Sequence, residues 1–387
     1  MIRKRNIVRS LQKAIHNPGY ALSVFFKRFI SFASYKFLNG KSAYPETISL
    51  FLTYKCNLRC KMCGQWGENG WAKCQPPEIT GKTLPVDTIK RMIDDTAFFK
   101  PNITLFGGEP LLFKDWEEVV RHIKKRKLRV NMITNGTLLS QYVEKVVDSG
   151  IDEIIFSLDG PEEIHDEIRS GKGIFKKATE SFMMLKDYKE KKGISTPRVN
   201  VNTTIFEDNY RRLDEIISVA ESIGADTLTF HHLIFLSDKI CNDNSRFMKN
   251  ELNLECMDWK GFSMDRLPEI DPDYLVEKLK ELKSRKSKVS INVYPNFTEE
   301  ETKKYYSNFE FRSETYSTRC ISPWMTVYVF PNGDIKPCLD VSYIAGNILE
   351  ERFPEIWNGE KLKQYRRVLK KHGIFPGCIR CTELYRA

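Results

Sequence analysis

The sequence predicts an α/β fold in which a parallel sheet curls into a full or partial barrel, with a small second unit after it. Three observations predict this. From residue 48 onward, short apolar runs alternate with helical patterns. Most of these units recur after roughly 25 to 45 residues, as strand–helix–strand units with parallel strands do. Past about residue 295 the rhythm breaks and a hairpin pattern replaces it. Right-handed crossovers between successive parallel strands curl such a sheet towards a barrel.

Residues 1–45 form a basic leader. They hold Arg3, Lys4, Arg5, Arg9, Lys13, Lys27, Arg28, Lys36 and Lys41 and no acidic residue. The whole chain of 387 residues has a formal net charge of +10, so residues 46–387 carry only about +1. A nucleic-acid partner wants a basic face on the folded domain, and this distribution argues against one. The leader breaks at Pro18-Gly19, after a helical pattern of Ile7, Val8, Leu11, Ala14 and Ile15. The stretch "YALSVFFKRFISFASYKFL" (20–38) is aromatic-rich, and too short and too charged to span a bilayer. Three readings stand: a helical pair packed on the main domain, an interfacial helix facing anionic head groups, or a cleaved presequence. No secretory signal is present, and ten cysteines in a chain this long point to a reducing compartment and metal ligation. The expected location is cytoplasmic, peripheral at the membrane if the leader attaches.

Strands are expected at 48–54, 102–106, 128–134, 152–158, 198–205, 226–232 and 289–294. Helices are expected at 86–99, 115–126, 138–149, 174–192, 210–223 and 273–286. Residues 233–272 read as a long irregular stretch, a lid or substrate loop. In the tail, "WMTVYVFPNGDIKPCL" (324–339) reads as two strands about Asn332-Gly333, followed by helices near 353–357 and 360–371. The domain reading is leader 1–45, barrel 46–294 and auxiliary unit 295–387.

The chemistry concentrates in two cysteine sets. "LTYKCNLRCKMCGQW" (52–66) places Cys56, Cys60 and Cys63 just past a strand, where parallel barrels keep their active sites. A structural zinc site and a fully ligated cubane cluster both want four protein ligands, so three leave one position open. "LFGGEPLL" (105–112) follows the next strand. Gly107 and Gly108 lack a Cβ and let a ligand approach the backbone, Glu109 offers a carboxylate to an ammonium, and Pro110 stiffens the turn.

The triplet Cys-x3-Cys-x2-Cys together with the Gly-Gly-Glu-Pro segment resembles the radical S-adenosylmethionine enzymes. Met62 stands where that family usually has an aromatic residue. The resemblance implies a partial (β/α)6 TIM-like barrel and a [4Fe–4S] cluster on Cys56, Cys60 and Cys63, whose open iron takes the amino and carboxylate groups of S-adenosylmethionine. Reductive cleavage then gives a 5′-deoxyadenosyl radical that abstracts a substrate hydrogen. It also implies an electron donor such as flavodoxin or ferredoxin. Glu109 would hold the cofactor's amino group. Ser157, Asp159 and Arg169 in "SLDGPEEIHDEIRSGKG" (157–173) resemble the segment that contacts ribose and methionine carboxylate. Thr134-Asn135-Gly136, Asn202 and Thr203 would line the pocket, or serve as turn and core polar groups. One of His231 and His232 is expected to face the barrel.

The second set is Cys320, Cys338, Cys378 and Cys381. Cys320-x12-Gly333-x4-Cys338 with Cys378-x2-Cys381 resembles a truncated SPASM, or twitch, domain. That implies a second, auxiliary [4Fe–4S] cluster, saturated by four thiolates. A four-cysteine zinc ribbon competes with it. Cys74, Cys241 and Cys256 fit neither set and read as isolated thiols. The expected function is an oxidoreductase- or maturase-type radical enzyme that modifies or oxidises a peptide or small molecule. A membrane-associated enzyme on a lipid-linked substrate and a non-enzymatic zinc module are the alternatives.

Overall fold

The computed structural model describes residues 18–316 and 318–386. Helix α1 (Pro18–Phe37) precedes β1 (Thr47–Phe51), then come α2 (Val86–Thr96), β2 (Asn102–Phe106), α3 (Trp116–Lys125), β3 (Arg129–Thr134), α4 (Val143–Asp148) and β4 (Glu153–Ser157). Two helices, α5 (Glu162–Ile168) and α6 (Ile174–Lys192), lead to β5 (Arg198–Ile205), α7 (Leu213–Ser222) and β6 (Thr227–His232). Helices α8 (Asp238–Leu252) and α9 (Pro272–Ser284) precede β7 (Ser290–Tyr294) and α10 (Glu299–Ser307). The last part holds β8 (Thr326–Val329), β9 (Asp334–Lys336), β10 (Gly346–Asn347), α11 (Phe353–Trp357) and α12 (Glu360–His372).

Strands β1 to β7 pair in sequence order, all parallel, as expected of successive right-handed crossovers. Each expected strand is present. The first is shorter than its apolar run: β1 stops at Phe51, three residues before Tyr54, and the cysteine loop starts at residue 52. Alternation then sorts the side chains. Val130, Met132, Ile154, Phe156, Val199 and Val201 are buried against the helices, where Phe156 stacks on Phe182 at 4.2 Å. The opposite face, turned into the barrel, is polar and mostly half-buried: Thr104, Asn131, Glu153, Asn200, Asn202 and His231. A barrel lined this way presents polar groups to its interior.

The tail hairpin is present, and it joins the barrel sheet directly. β8 pairs in parallel with β1, and β9 and β10 follow antiparallel, so one ten-stranded sheet runs β10-β9-β8-β1 to β7. The C-terminal residues tie its two flanks together. Tyr294 of β7 donates its hydroxyl to the Thr382 carbonyl at 2.8 Å, and Arg386 bonds Thr47 of β1 at 3.2 Å and pairs with Glu383.

Residues 233–272 differ from expectation: α8 occupies much of them. Ser237 caps its start by accepting from the Ile240 N–H at 3.4 Å, and Asn253, at φ +49°, ends it in the left-handed region. The leader is mixed. The helix expected before Pro18 lies outside the described residues. Helix α1 docks by one face, with Ser31, Ser34 and Tyr35 buried and Arg28 paired to Glu46 at 2.9 Å. Its other face exposes Leu22, Phe25, Phe26, Phe29 and Phe37. Among the described residues no helix is long and apolar enough to cross a membrane.

Candidate active site

The cysteine loop is pinned from several sides. The Leu58 and Trp66 N–H groups point at the sulfurs of Cys56 and Cys63, each at 3.4 Å. Arg59 lies over the Trp66 ring at 4.3 Å and donates to the Cys56 and Leu58 carbonyls. The Trp66 indole donates to the Tyr54 carbonyl at 2.7 Å. Lys61 pairs with Glu167 and Asp208. Cys63 is near enough to bear on the ionisation of both Cys56 and Cys60. Burial pushes Cys56 up to about 12, with Cys60, Glu109 and Cys63 adding to the shift. Burial raises Cys60 to about 11 against the pull of Arg169, whose guanidinium stands 3.9 Å from its sulfur. Three thiols crowded on one loop are soft donors that would bind a metal cluster as thiolates, giving up their protons to the medium, so the donor set fits one. Met62, where an aromatic residue was expected, packs half-buried against the main core.

The Gly-Gly-Glu-Pro segment stands directly against this loop. Its glycines serve the chain itself. A Cβ on Gly108 would lie 2.2 Å from the Lys55 carbonyl oxygen, and one on Gly107 2.6 Å from that of Thr53. The Gly108 and Glu109 N–H groups donate to these two carbonyls, of Thr53 and Lys55 respectively, at 2.8 Å each. The expected room for a ligand is therefore filled by the backbone of the cysteine loop. Glu109 is 1% exposed. Its Oε1 accepts from the Leu111 N–H at 3.1 Å and the Thr134 hydroxyl at 2.8 Å, and its Oε2 accepts from the Asn135 N–H at 2.9 Å. A carboxylate offers about four acceptor positions, so Oε2 keeps one for an ammonium. Burial lifts its pKa to about 7 although these donors and Arg169 oppose the rise. Pro110 is buried and opens the short turn Pro110–Leu112.

Asp159 and Arg169 meet each other. Asp159 is fully buried and takes two guanidinium hydrogen bonds from Arg169, at 2.8 and 2.6 Å, and the Thr204 N–H at 2.8 Å. Both its oxygens are engaged within the chain, so it orients Arg169 towards Cys60. Burial opposes the Arg169 charge, yet Asp159 and Cys60 hold its pKa above the ordinary value. Ser157 and Asn202 are register partners on the barrel face, while Thr203 is buried and donates to the Leu158 carbonyl. The two histidines separate. His231 shares the barrel face with Tyr294, at 5.6 Å between rings. His232 is in the core, 3.0 Å from the Tyr306 hydroxyl, and burial lowers its pKa to about 3. Sequence reasoning missed Asn57 and Thr137. With Asn135 they form a side-chain network, Asn135 to Asn57 at 3.0 Å and Asn57 to Thr137 at 2.8 Å, that ties the cysteine loop to the β3 turn. The only signal was the neighbouring Thr-Asn-Gly motif.

The tail cysteines come together from three separate segments. Cys320 is buried, its N–H bonded to the Gly373 carbonyl, and Cys338 follows β9 with the Tyr365 hydroxyl 3.5 Å from its sulfur. Cys378 and Cys381 share the terminal turn. Burial raises all four thiols, and their mutual influence adds to the rise for Cys320, Cys338 and Cys381. Among the described residues no three His, Cys, Asp or Glu side chains form a set tight enough for a single metal ion. A cubane spreads its thiolates over several irons and needs no such convergence. Cys241 and Cys256 are buried and Cys74 is exposed.

The profile of the Radical SAM superfamily matches residues 50–220, from β1 through α7. Residues 50–220 form a domain of the radical SAM superfamily. A second profile, SPASM, an iron–sulfur cluster-binding domain, matches residues 320–382 of this radical SAM enzyme. The first domain works with a [4Fe–4S] cluster and S-adenosylmethionine, the second with auxiliary iron–sulfur clusters. The enzyme is 26% identical over 334 residues to an AdoMet-dependent heme synthase of Methanosarcina barkeri, covering 83% of this chain and 85% of that one. It is 24% identical over 356 residues to a tungsten-containing aldehyde ferredoxin oxidoreductase cofactor-modifying protein of Pyrococcus furiosus, covering 86% of each chain. Its fold is similar to Streptococcus suis SuiB bound to precursor peptide SuiA, with TM-score 0.61 and 13% identity over 87% of this chain and 70% of that one. It is also similar to anSMEcpe with bound AdoMet, with TM-score 0.52 and 16% identity over 83% and 82%.

Proposed function

We propose that this radical SAM enzyme modifies or oxidises a peptide or small molecule by hydrogen abstraction, with Cys56, Cys60 and Cys63 as ligands of the catalytic cluster. One observation carries the ligand assignment: three thiols close together on one loop, with the buried Glu109 carboxylate near Cys56 and the Arg169 guanidinium 3.9 Å from the Cys60 sulfur. When bound, cluster and S-adenosylmethionine supply the deoxyadenosyl radical. The chain's own part is placement. Glu109 Oε2 takes the cofactor's ammonium. Arg169, held by Asp159, gives positive charge beside Cys60. Gly107, Gly108 and Pro110 hold the Glu109 segment against the loop, and Ser157 and Asn202 line the barrel face below. Cys320, Cys338, Cys378 and Cys381 hold one auxiliary cluster, placed to pass electrons, and a flavodoxin or ferredoxin supplies the reducing electron. A relative named as a heme synthase and a structural neighbour solved with a precursor peptide are in keeping with this substrate range.

The test is Cys60→Ala in anaerobically reconstituted protein. The variant should make no 5′-deoxyadenosine above background and keep about half the iron, in the tail cluster. Wild-type levels of 5′-deoxyadenosine from it would overturn the ligand assignment. Zinc in both cysteine sets of the wild-type protein, with no iron retained, would favour the binding-module alternative.

A second reading concerns location. The exposed apolar face of α1, with Lys27 and Lys36 beside it, fits an anionic membrane surface. Phe98, also exposed, lies in the turn whose Lys100 carbonyl accepts from Lys27. The full chain should co-sediment with vesicles containing phosphatidylserine, and Phe26→Ser with Phe29→Ser should weaken this about tenfold or more. Equal sedimentation of both proteins, or of neither, removes the membrane reading and the lipid-linked substrate with it.

A further inference from the structure

A pocket between the cysteine loop and the β8–β9 hairpin is used by nothing described above. It is lined by Gln65, two residues past Cys63, by Trp71, by Phe330 and Lys336 of the hairpin, by Asp340, and by Asp258 of the turn Asp258–Phe262. It therefore sits between the two cysteine sets, since Asp340 is two residues past Cys338.

Its polar groups are only partly satisfied. Lys336 is 8% exposed, with its ammonium 4.4 Å from the Phe330 ring centroid and 5.6 Å from that of Trp71. No hydrogen bond or ion pair to it is found among the described residues. Asp258 is also 8% exposed; Ser342 donates to its Oδ1, while its Oδ2 accepts no hydrogen bond. The Gln65 Oε1 is likewise buried without a partner. A buried donor and two buried acceptors left open each carry a desolvation cost that a ligand can relieve. One ammonium facing two carboxyl groups sets the sign of that ligand. A bare anion meets the carboxyls and a bare cation meets Lys336, so a single charge of either sign is penalised. A neutral dipolar group, with a carbonyl for Lys336 and an N–H for Asp258 or Gln65, satisfies both kinds of opening. The Trp71 and Phe330 faces offer apolar packing on either side.

We infer that this pocket is a peptide subsite that takes an amide unit of the substrate between Lys336 on one side and Asp258 and Gln65 on the other. It rests on the peptide branch of the proposed function and narrows it. The test is isothermal titration of the anaerobically reconstituted, S-adenosylmethionine-loaded full chain with a random pool of N-acetylated, C-amidated tripeptides. Acetate and methylammonium serve as single-charge competitors. The pool should bind, neither ion should displace it, and Lys336→Met and Asp258→Asn should each weaken binding about tenfold. Lys336→Arg should keep binding within about threefold. Gln65→Leu, at a half-buried site, should weaken it about threefold even if the buried variants fold poorly. No binding of the pool, displacement by either ion, or unchanged affinity in the variants overturns the inference. Cleavage of S-adenosylmethionine by the wild-type protein is read separately. Its failure would count against the radical reading and leave the peptide titration interpretable.

Discussion

Glu109 shows how one side chain is set for its task before any ligand arrives. Three local donors fix its carboxylate, and burial nonetheless lifts its pKa from 4.5 to about 7. Between those values the folded chain holds a proton that the unfolded chain has lost. Stability of the cofactor-free protein should therefore fall as pH rises from about 4.5 to about 7, by roughly 3 kcal/mol in all. Glu109→Gln should flatten that part of the profile, measured by denaturant midpoints at a series of pH values. The same variant lacks the charge that meets an ammonium. It should bind S-adenosylmethionine about tenfold more weakly, the share of a charge-assisted hydrogen bond, as read by equilibrium dialysis. The sequence showed that a carboxylate stands here. Two of its three donors are Thr134 and Asn135 at the end of the next strand, which only the fold brings to it.

The paired loops after β1 and β2 behave as one element. Backbone hydrogen bonds join residues 53–55 to 108–109, and the glycines let the two chains touch. Gly108→Ala would put a methyl group 2.2 Å from the Lys55 carbonyl oxygen and 2.6 Å from that of Tyr54. Neither backbone can yield without moving the cysteine loop. The variant should lose about 1–3 kcal/mol of stability and retain less catalytic-cluster iron after reconstitution, with tail-cluster iron unchanged. Iron analysis alongside thermal unfolding checks both. Strand and helix positions were legible because their apolar periods are long and regular. Helix α8 was not, because its buried residues are few and polar neighbours such as Asn244 and Ser245 blur the period. Its capping by Ser237 was the available signal.

At the scale of the molecule, the C-terminal residues act as a strap across the flanks of the sheet. Arg386 reaches Thr47 and Glu46 beside β1, while Thr382 holds Tyr294 of β7. Tyr385 packs edge-on against Phe297 and Tyr316. A chain ending at Thr382 keeps all ten cysteines and Thr382 itself but loses the Arg386 and Tyr385 contacts. It should melt several degrees lower while binding the same amount of iron, measured by calorimetry and iron analysis. Equal melting temperatures would show that the strap adds nothing.

By itself the sequence determined the α/β class, seven strand positions, the two cysteine sets and the Gly-Gly-Glu-Pro segment. Each of these is written in short-range spacing, and spacing survives without a fold. Only the tertiary structure decided that the tail hairpin extends the barrel sheet and that Asp159 serves Arg169. It also separated His231 from His232 and brought Lys336, Asp258 and Gln65 into one pocket. These are contacts between residues far apart in the chain, created by strand pairing and burial, and no local pattern encodes them.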